Sequence, residues 1–254
     1  MGRGSEMRAE VPRPARHVVV TGASGGLGQA CAVAFAAPGV CVGVHYGRNL
    51  AGARETARRV EDRGATAYLV EADFRVADAW RAVVDAIGEQ SYPLDVLLLN
   101  AGLSLPKRIV NMSEEDWDTV LQVNYRSHVA LLEACAVNLL RAGSHVLAVA
   151  SLVGLRGEIG LSAYAASKGA LIGLVQDAAR RLGPRGICVN AILPGLLRTG
   201  ITANMSDEQF AAAVGENALG HGSTCEEVAR VAVFIATLQN VSGQVFALDS
   251  RLRL

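Results

Sequence analysis

Short apolar runs alternate along this chain with segments whose apolar residues recur at helical spacing. The runs at 17–21, 40–46, 66–71, 94–99, 145–150, 186–193 and 244–248 have the length and residue types of strands. Helices are predicted at 30–37, 51–63, 77–89, after Ser113, from Tyr164 to about 182, and at 225–238. The alternation predicts one α/β domain, a doubly wound parallel sheet of about seven strands with helices on both faces.

We expect this domain to span 16–254. Residues 1–15 contain Met1-Gly2-Arg3-Gly4, Pro12 and Pro14 and no apolar signal region, so we interpret them as a flexible, vector-derived leader. The stretch 196–223 predicts a loose loop. In such a sheet, ligands bind where the strands end at their carboxyl sides.

Composition excludes several functions. The 254 residues carry a formal net charge of zero without a basic block, so neither nucleic acid nor an anionic membrane is an expected partner. Residues 18–47 are uncharged, but their glycines divide them into strand and helix lengths, and no membrane span is predicted. Five scattered cysteines suit reduced thiols in a cytoplasmic protein, and the five histidines form no pattern typical of a metal site.

A glycine-rich turn follows the first strand and leads into the first helix. It contains Gly22, Ser24, Gly26, Leu27 and Gly28. Such a turn lets the backbone approach a pyrophosphate, and the helix start offers N–H groups to an anion. The turn alone is equally compatible with a purely structural role.

The second strand ends in Tyr46-Gly47-Arg48-Asn49. The acidic residue that would bind an NAD ribose is missing there, and Arg48 suits the 2′-phosphate of NADP. We therefore predict NADP(H), with NAD(H) as the alternative. Arg48 could instead be a solvated loop charge.

Three groups point to chemistry on a carbonyl: Ser151, Tyr164 and Lys168. The tyrosine and lysine are four residues apart on one helical face, and Lys107 and Lys168 are the only lysines in the chain. An ammonium about 4 Å from the phenol would lower its pKa by roughly three units at an effective dielectric of about 20. The alternative is a chance pair of surface residues.

Together these residues resemble the short-chain dehydrogenase/reductase family, over about 16–248, and most of all its 3-oxoacyl-[acyl-carrier-protein] reductases. The matching motifs are Thr21-Gly22-x-x-x-Gly26-x-Gly28, Asp73, Asn100-Ala101-Gly102, Asn124, Ser151, Tyr164-x-x-x-Lys168, and Pro194-Gly195 followed by Thr199. The resemblance implies a Rossmann fold, an NADPH-dependent oxidoreductase and a homotetramer or homodimer.

It also implies roles for individual residues. Tyr164 would be the general acid or base, Ser151 would hold the substrate oxygen, and Lys168 would bind the nicotinamide ribose. Asn124 would hold a water of a proton relay, Asp73 the adenine edge, and Thr199 the carboxamide end. The implied cofactor-binding residues are Gly22, Ser24, Gly26, Leu27, Gly28, Arg48, Asp73, Asn100, Ala101, Gly102, Tyr164, Lys168, Pro194, Gly195 and Thr199.

The substrate is the least determined feature. An apolar pocket is expected from Leu103, Ser104, Val153, Leu155, Leu161, Leu196, Leu197, Met205 and Phe210. If the substrate is carried by acyl carrier protein, Arg141 and Arg185 are the expected landing area. The alternatives are a free cyclic or aromatic alcohol or ketone and, from another class, a nucleotide-binding regulator without turnover.

The chain departs from the resemblance at Asp249-Ser250-Arg251, where a glycine pair is usual, which puts the tetramer contact in doubt.

Overall fold

Seven parallel strands form the centre of the molecule in the computed structural model, which describes residues 16–90 and 92–251. They are β1 Arg16–Val20, β2 Val40–Tyr46, β3 Thr66–Glu71, β4 Leu94–Leu99, β5 Leu140–Val149, β6 Cys188–Pro194 and β7 Val245–Leu248. Their order across the sheet is β3-β2-β1-β4-β5-β6-β7. The predicted doubly wound sheet is confirmed, whereas the proposed leader at 1–15 lies outside the described residues.

Helices cover both faces of this sheet. They are α1 Gly26–Phe35, α2 Leu50–Glu61, α3 Trp80–Gly88, α4 Glu114–Leu121, α5 Ser127–Asn138, α6 Val153–Arg156, α7 Ser162–Leu182, α8 Asp207–Gly215 and α9 Cys225–Ile235. Among the described residues, no helix is both long enough and apolar enough to cross a bilayer.

Successive strand residues alternate between two cores. Val18 and Val20 pack with α1, α2 and α9, whereas Val19 faces the layer formed by α3, α5 and α7. Leu97 and Leu99 of β4 lie in that second core. Because both faces are buried, the strands are apolar almost throughout, as parallel strands usually are.

Several elements differ from the prediction: β5 begins at Leu140 rather than at 145, the short helix α6 was not predicted, and two longer segments also differ. The single helix expected after Ser113 is interrupted by a π turn, Gln122–Arg126, between α4 and α5. The expected loose loop contains α8, whose start is capped by the Ser206 hydroxyl and the Gln209 side chain. This Ser-x-x-Gln pattern is a helix-start signal that the sequence analysis missed.

Candidate active site

The glycine turn between β1 and α1 is too tightly packed to carry side chains. Gly22 has a φ of 66°, and a Cβ on it would lie 2.8 Å from the Ala101 Cα. A Cβ on Gly28 would lie 2.2 Å from the Gly22 carbonyl oxygen. Gly25 precedes α1 and has no side chain that could cap the helix. The first N–H groups of α1 therefore remain open to an anion.

Hydrogen bonds fix this turn to the end of β4. The Thr21 hydroxyl accepts the backbone N–H groups of Asn100, at 2.8 Å, and Ala101, at 2.9 Å. The Asn100 amide donates to the Thr21 carbonyl oxygen at 2.8 Å. Asn100 thus joins the ends of the two central strands.

His45, at the end of β2, was missed in the sequence analysis. Its Nδ1 accepts the Gly22 N–H at 2.9 Å, and its Nε2 contacts the Ala72 carbonyl oxygen at 2.8 Å. The ring stacks on Phe74, with centroids 4.3 Å apart, and burial lowers its pKa to about 4. A histidine within an otherwise apolar strand was the available signal.

A carboxylate lies between two arginines where β2 and β3 end. The Asp73 carboxylate forms a salt bridge with Arg48 at 3.3 Å. It forms a second salt bridge with Arg75, whose Nε donates to it at 2.9 Å. The Arg48 side chain is 73% exposed, compared with 33% for Arg75. Arg75 was not predicted, although it stands two residues after the predicted Asp73.

The three predicted catalytic side chains come together at the end of β5. Ser151 follows β5, and its hydroxyl accepts the Val153 N–H at 3.2 Å and lies close enough to the Tyr164 hydroxyl to affect its pKa. Burial raises the pKa of Tyr164, and the Ser151 hydroxyl acts in the opposite direction. The expected lowering of this pKa by Lys168 is not found, because burial has the largest effect on it. The Lys168 Nζ lies 5.7 Å from the tyrosine ring centroid.

Lys168 is instead directed towards the backbone of β5. Its Nζ donates to the Val149 carbonyl oxygen at 2.7 Å, and only 2% of the residue is exposed. Burial lowers its pKa to about 8. The ammonium therefore lies over the Tyr164 ring and is held by the backbone of β5.

Asn124 lies in the π turn and holds the neighbouring loop. Its amide donates to the Leu103 carbonyl oxygen at 2.9 Å and to the Ser167 hydroxyl at 3.0 Å, and its oxygen accepts the Leu103 N–H at 2.8 Å. Both amide hydrogens are thus used by protein atoms. A relay water at Asn124 stays a prediction.

The remaining predicted cofactor-binding residues lie around these groups. A Cβ on Gly26 would lie 3.0 Å from Thr199, and one on Gly102 would lie 3.5 Å from the Lys168 Nζ. Pro194 ends β6, and Gly195 packs against Asp249, which is paired with Arg251 at 2.7 Å. The Leu27 side chain is buried in the core, so only its backbone faces the turn.

Several substrate-side expectations need correction. Leu197 is 7% exposed and belongs to the core rather than to a pocket. Phe210 is half-buried, with the Arg198 guanidinium 3.9 Å from its ring centroid, and its place in the pocket stays a prediction. Arg141 and Arg185 lie at the amino ends of β5 and β6, opposite the edge that carries Ser151, where they contact Asp95 and the Leu140 carbonyl oxygen. Within one copy they cannot flank the pocket mouth.

The loop after β4 and the segment before α7 expose aliphatic side chains among charged ones such as Lys107, Arg108 and Glu158. The Lys107 N–H donates to the Gly160 carbonyl oxygen at 2.9 Å, which joins the loop after β4 to the segment before α7. Beside this contact lie large aliphatic residues that are half to nine-tenths exposed: Ile109, Val110, Leu155 and Ile159. Within residues 16–90 and 92–251, no cluster of histidine, cysteine and carboxylate side chains could hold a metal ion.

Comparisons with known proteins identify the family of this chain. The sequence model of the short chain dehydrogenase family matches residues 16–209. The 3-oxoacyl-[acyl-carrier-protein] reductase FabG of Staphylococcus aureus is 30% identical over 223 residues, which cover 87% of this chain and 91% of that protein.

Solved structures resemble the whole described fold. A short chain dehydrogenase from Burkholderia cenocepacia in complex with NADP superimposes with a TM-score of 0.87 and 30% identity, over 93% of this chain and 97% of the other. The angucycline C-6 ketoreductase LanV with bound NADP gives 0.85 and 25% identity, over 91% and 93% of the two chains.

Proposed function

Because the chain belongs to the short-chain dehydrogenase family and is an oxidoreductase, we propose that it reduces a ketone to a secondary alcohol with NADPH. The observation that carries this proposal is the convergence of Ser151, Tyr164 and Lys168 at the end of β5. A protein that only bound nucleotide would need the glycine turn but not this group. Two similar solved proteins contain NADP, which supports the choice of cofactor.

The residues present fit a dinucleotide. The absence of side chains at Gly22, Gly26 and Gly28 lets the turn pack closely against Ala101, Thr199 and its own backbone, and the start of α1 offers N–H groups to a pyrophosphate. Asp73 and Arg48 lie at the strand ends where adenine and a 2′-phosphate would bind. When bound, NADPH supplies the hydride that adds to the carbonyl carbon.

The protein's own groups handle the oxygen and the proton. Tyr164 donates its phenolic proton to the carbonyl oxygen, and its raised pKa keeps that proton in place at neutral pH. Ser151 donates a hydrogen bond to the same oxygen as negative charge develops on it. Lys168 binds the ribose hydroxyls and keeps a positive charge over the tyrosine ring.

Two substrate forms are compatible with the site: a 3-oxoacyl thioester, as the FabG relative's name suggests, and a free cyclic or aromatic ketone. The exposed aliphatic side chains of Ile109, Val110 and Ile159 support an apolar substrate body in either case. The remote positions of Arg141 and Arg185 favour the free ketone, because they remove the main argument for a docked carrier.

The test is NADPH oxidation with a panel containing a 3-oxoacyl thioester and cyclic and aromatic ketones. We expect turnover that Tyr164→Phe lowers by about 100-fold or more, with nucleotide affinity nearly unchanged, because the phenol acts on the substrate oxygen. Nucleotide binding without turnover of any ketone would favour a regulator. More than about a tenth of the activity remaining in Tyr164→Phe would refute its role as the acid.

A further inference from the structure

His45 connects two segments of the nucleotide site that are distant in sequence. One ring nitrogen accepts the Gly22 N–H of the glycine turn, and the other contacts the Ala72 carbonyl oxygen directly before Asp73. The His45 backbone adds a third link, since its carbonyl oxygen accepts the Ala23 N–H at 2.8 Å. No other side chain described here joins these two segments directly.

These contacts define one state of the ring. Nδ1 must be unprotonated because it accepts an N–H, and Nε2 must carry the hydrogen because it faces a carbonyl oxygen. The residue is 2% exposed, and Phe74 covers one face. The lowered pKa agrees with a ring that stays neutral over the working pH range.

We propose that His45 is a positioning residue for the nucleotide, whose neutral ring holds the glycine turn in its binding conformation and ties it to the end of β3. This proposal rests on the binding of NADP(H) that the proposed function includes. His45 itself touches neither the reacting atoms nor the catalytic tyrosine.

The physical reason is preorganisation. Four of the seven residues of the turn from Gly22 to Gly28 are glycines, and Gly22 has a positive φ, so hydrogen bonds must select its conformation. Without the bond from Gly22 to His45, the free turn adopts more conformations. Nucleotide binding must then order the turn, and the free energy that this requires weakens the affinity. The loss then appears in nucleotide affinity and not in the chemical step.

Two substitutions separate the two ring contacts. In His45→Asn, the amide oxygen can lie near the place of Nδ1 and accept the Gly22 N–H. In His45→Gln, the amide reaches the place of Nε2 and can donate to Ala72, but the Gly22 N–H loses its acceptor. The matched control is His145→Asn, since His145 is 1% exposed, lies in β5, and has no hydrogen-bond partner on its ring among the described residues.

Dissociation constants for NADPH are measured by fluorescence titration, below the melting temperature of each variant, and followed by steady-state kinetics. We expect His45→Gln to bind NADPH about tenfold more weakly or worse, because a buried N–H is left without a partner, whereas His45→Asn stays within about threefold of wild type. The kcat at saturating NADPH is unchanged in both, and the control keeps wild-type affinity.

Equal weakening in the two His45 variants, or a His45→Gln affinity within about threefold of wild type, would overturn the proposal. An equivalent loss in His145→Asn would do the same, because it would show a general effect of removing buried histidines. Failure of the unmodified protein to bind NADPH would instead refute the proposed function.

Discussion

Asp73 is paired unequally with two neighbouring arginines. Arg75 donates hydrogen bonds to both oxygens of the carboxylate, whereas Arg48 contacts only one of them and remains largely exposed. The pair of arginines leaves a net positive charge beside a single carboxylate. Since Arg75 already neutralises Asp73, Arg48 is the guanidinium that can turn towards a 2′-phosphate.

We therefore expect Arg48→Ala to weaken NADPH binding by about tenfold or more while sparing NADH, since a charge-assisted contact is worth about 1.5 to 3 kcal/mol. The measurement is the dissociation constant of the wild type and of the variant for NADPH and for NADH. Arg58→Ala is the control, because Arg58 is an exposed arginine on α2 already paired with Glu55 at 2.8 Å. Equal losses for NADPH and NADH would show that Arg48 has a structural role.

The pKa of Lys168 predicts the alkaline limit of activity. Its ammonium is charged below about pH 8 and loses its charge above that value, whereas the Tyr164 pKa is shifted upwards. We expect kcat/KM for NADPH to fall as pH rises through about 8, because this parameter reports the free enzyme. A profile flat to pH 10 would contradict this assignment.

At the scale of elements, the sequence predicted strands better than irregular segments. The bounds of β2, β3 and β4 agree with the prediction, because each is an apolar or β-branched run of strand length. The π turn was not predictable, since it accompanies contacts of Asn124 with Leu103 and Ser167. The role of His45 was not predictable either, because its hydrogen-bond partners, Gly22 and Ala72, follow other strands.

The same distinction applies to the site. Motif residues such as Ser151 and Tyr164 could be identified from order and spacing, and the structure brings them together. The pKa of Tyr164 could not be predicted, because spacing along a helix does not determine where the Lys168 ammonium points or how deeply the phenol is buried.

Helix α8 provides a prediction at this scale. Ser206→Ala removes its cap and costs that helix about 1 kcal/mol, so we expect faster proteolysis within 207–215 and a higher KM for the ketone, with unchanged NADPH affinity. Thr224→Ala is the control, since it removes the same type of cap from α9, which packs in the core. Equal proteolysis of α8 in both variants would contradict a local effect.

For the whole molecule, buried histidines set the response to acid. His45 and His128 are neutral in the fold, with pKa values lowered by burial to about 4 and about 3. The unfolded chain binds protons on these rings below about pH 6.5, whereas the fold does not, so the stabilisation is complete above that pH and lost as pH falls towards 4.

Urea unfolding at pH 7 and pH 5 tests this. Each such histidine contributes about 2 kcal/mol to the drop in unfolding free energy between these values. We expect His128→Leu to show a drop smaller by about that amount. Since neither His128 nitrogen has a hydrogen-bond partner among the described residues, the substitution orphans no other polar group. An unchanged drop would show that other groups control the acid response.

Apolar side chains exposed together at one edge of the sheet predict assembly through the face formed by α9 and β7. Phe234 on α9 is 61% exposed and Leu219 is 68% exposed, and both border an open cleft of about 550 Å³ beside β7. Large apolar side chains grouped at a sheet edge commonly mark an interface, and β7 is the terminal strand of the sheet.

One such face is enough for a homodimer, and a homotetramer needs a second face. We expect light scattering to show an oligomer for the wild type and a smaller species for Phe234→Glu, because a new charge at this position disrupts the apolar contact. Val76→Glu is the control, since Val76 is 63% exposed but lies on the loop after β3. A monomeric wild type, or an unchanged mass for Phe234→Glu, would contradict assembly through the α9 face.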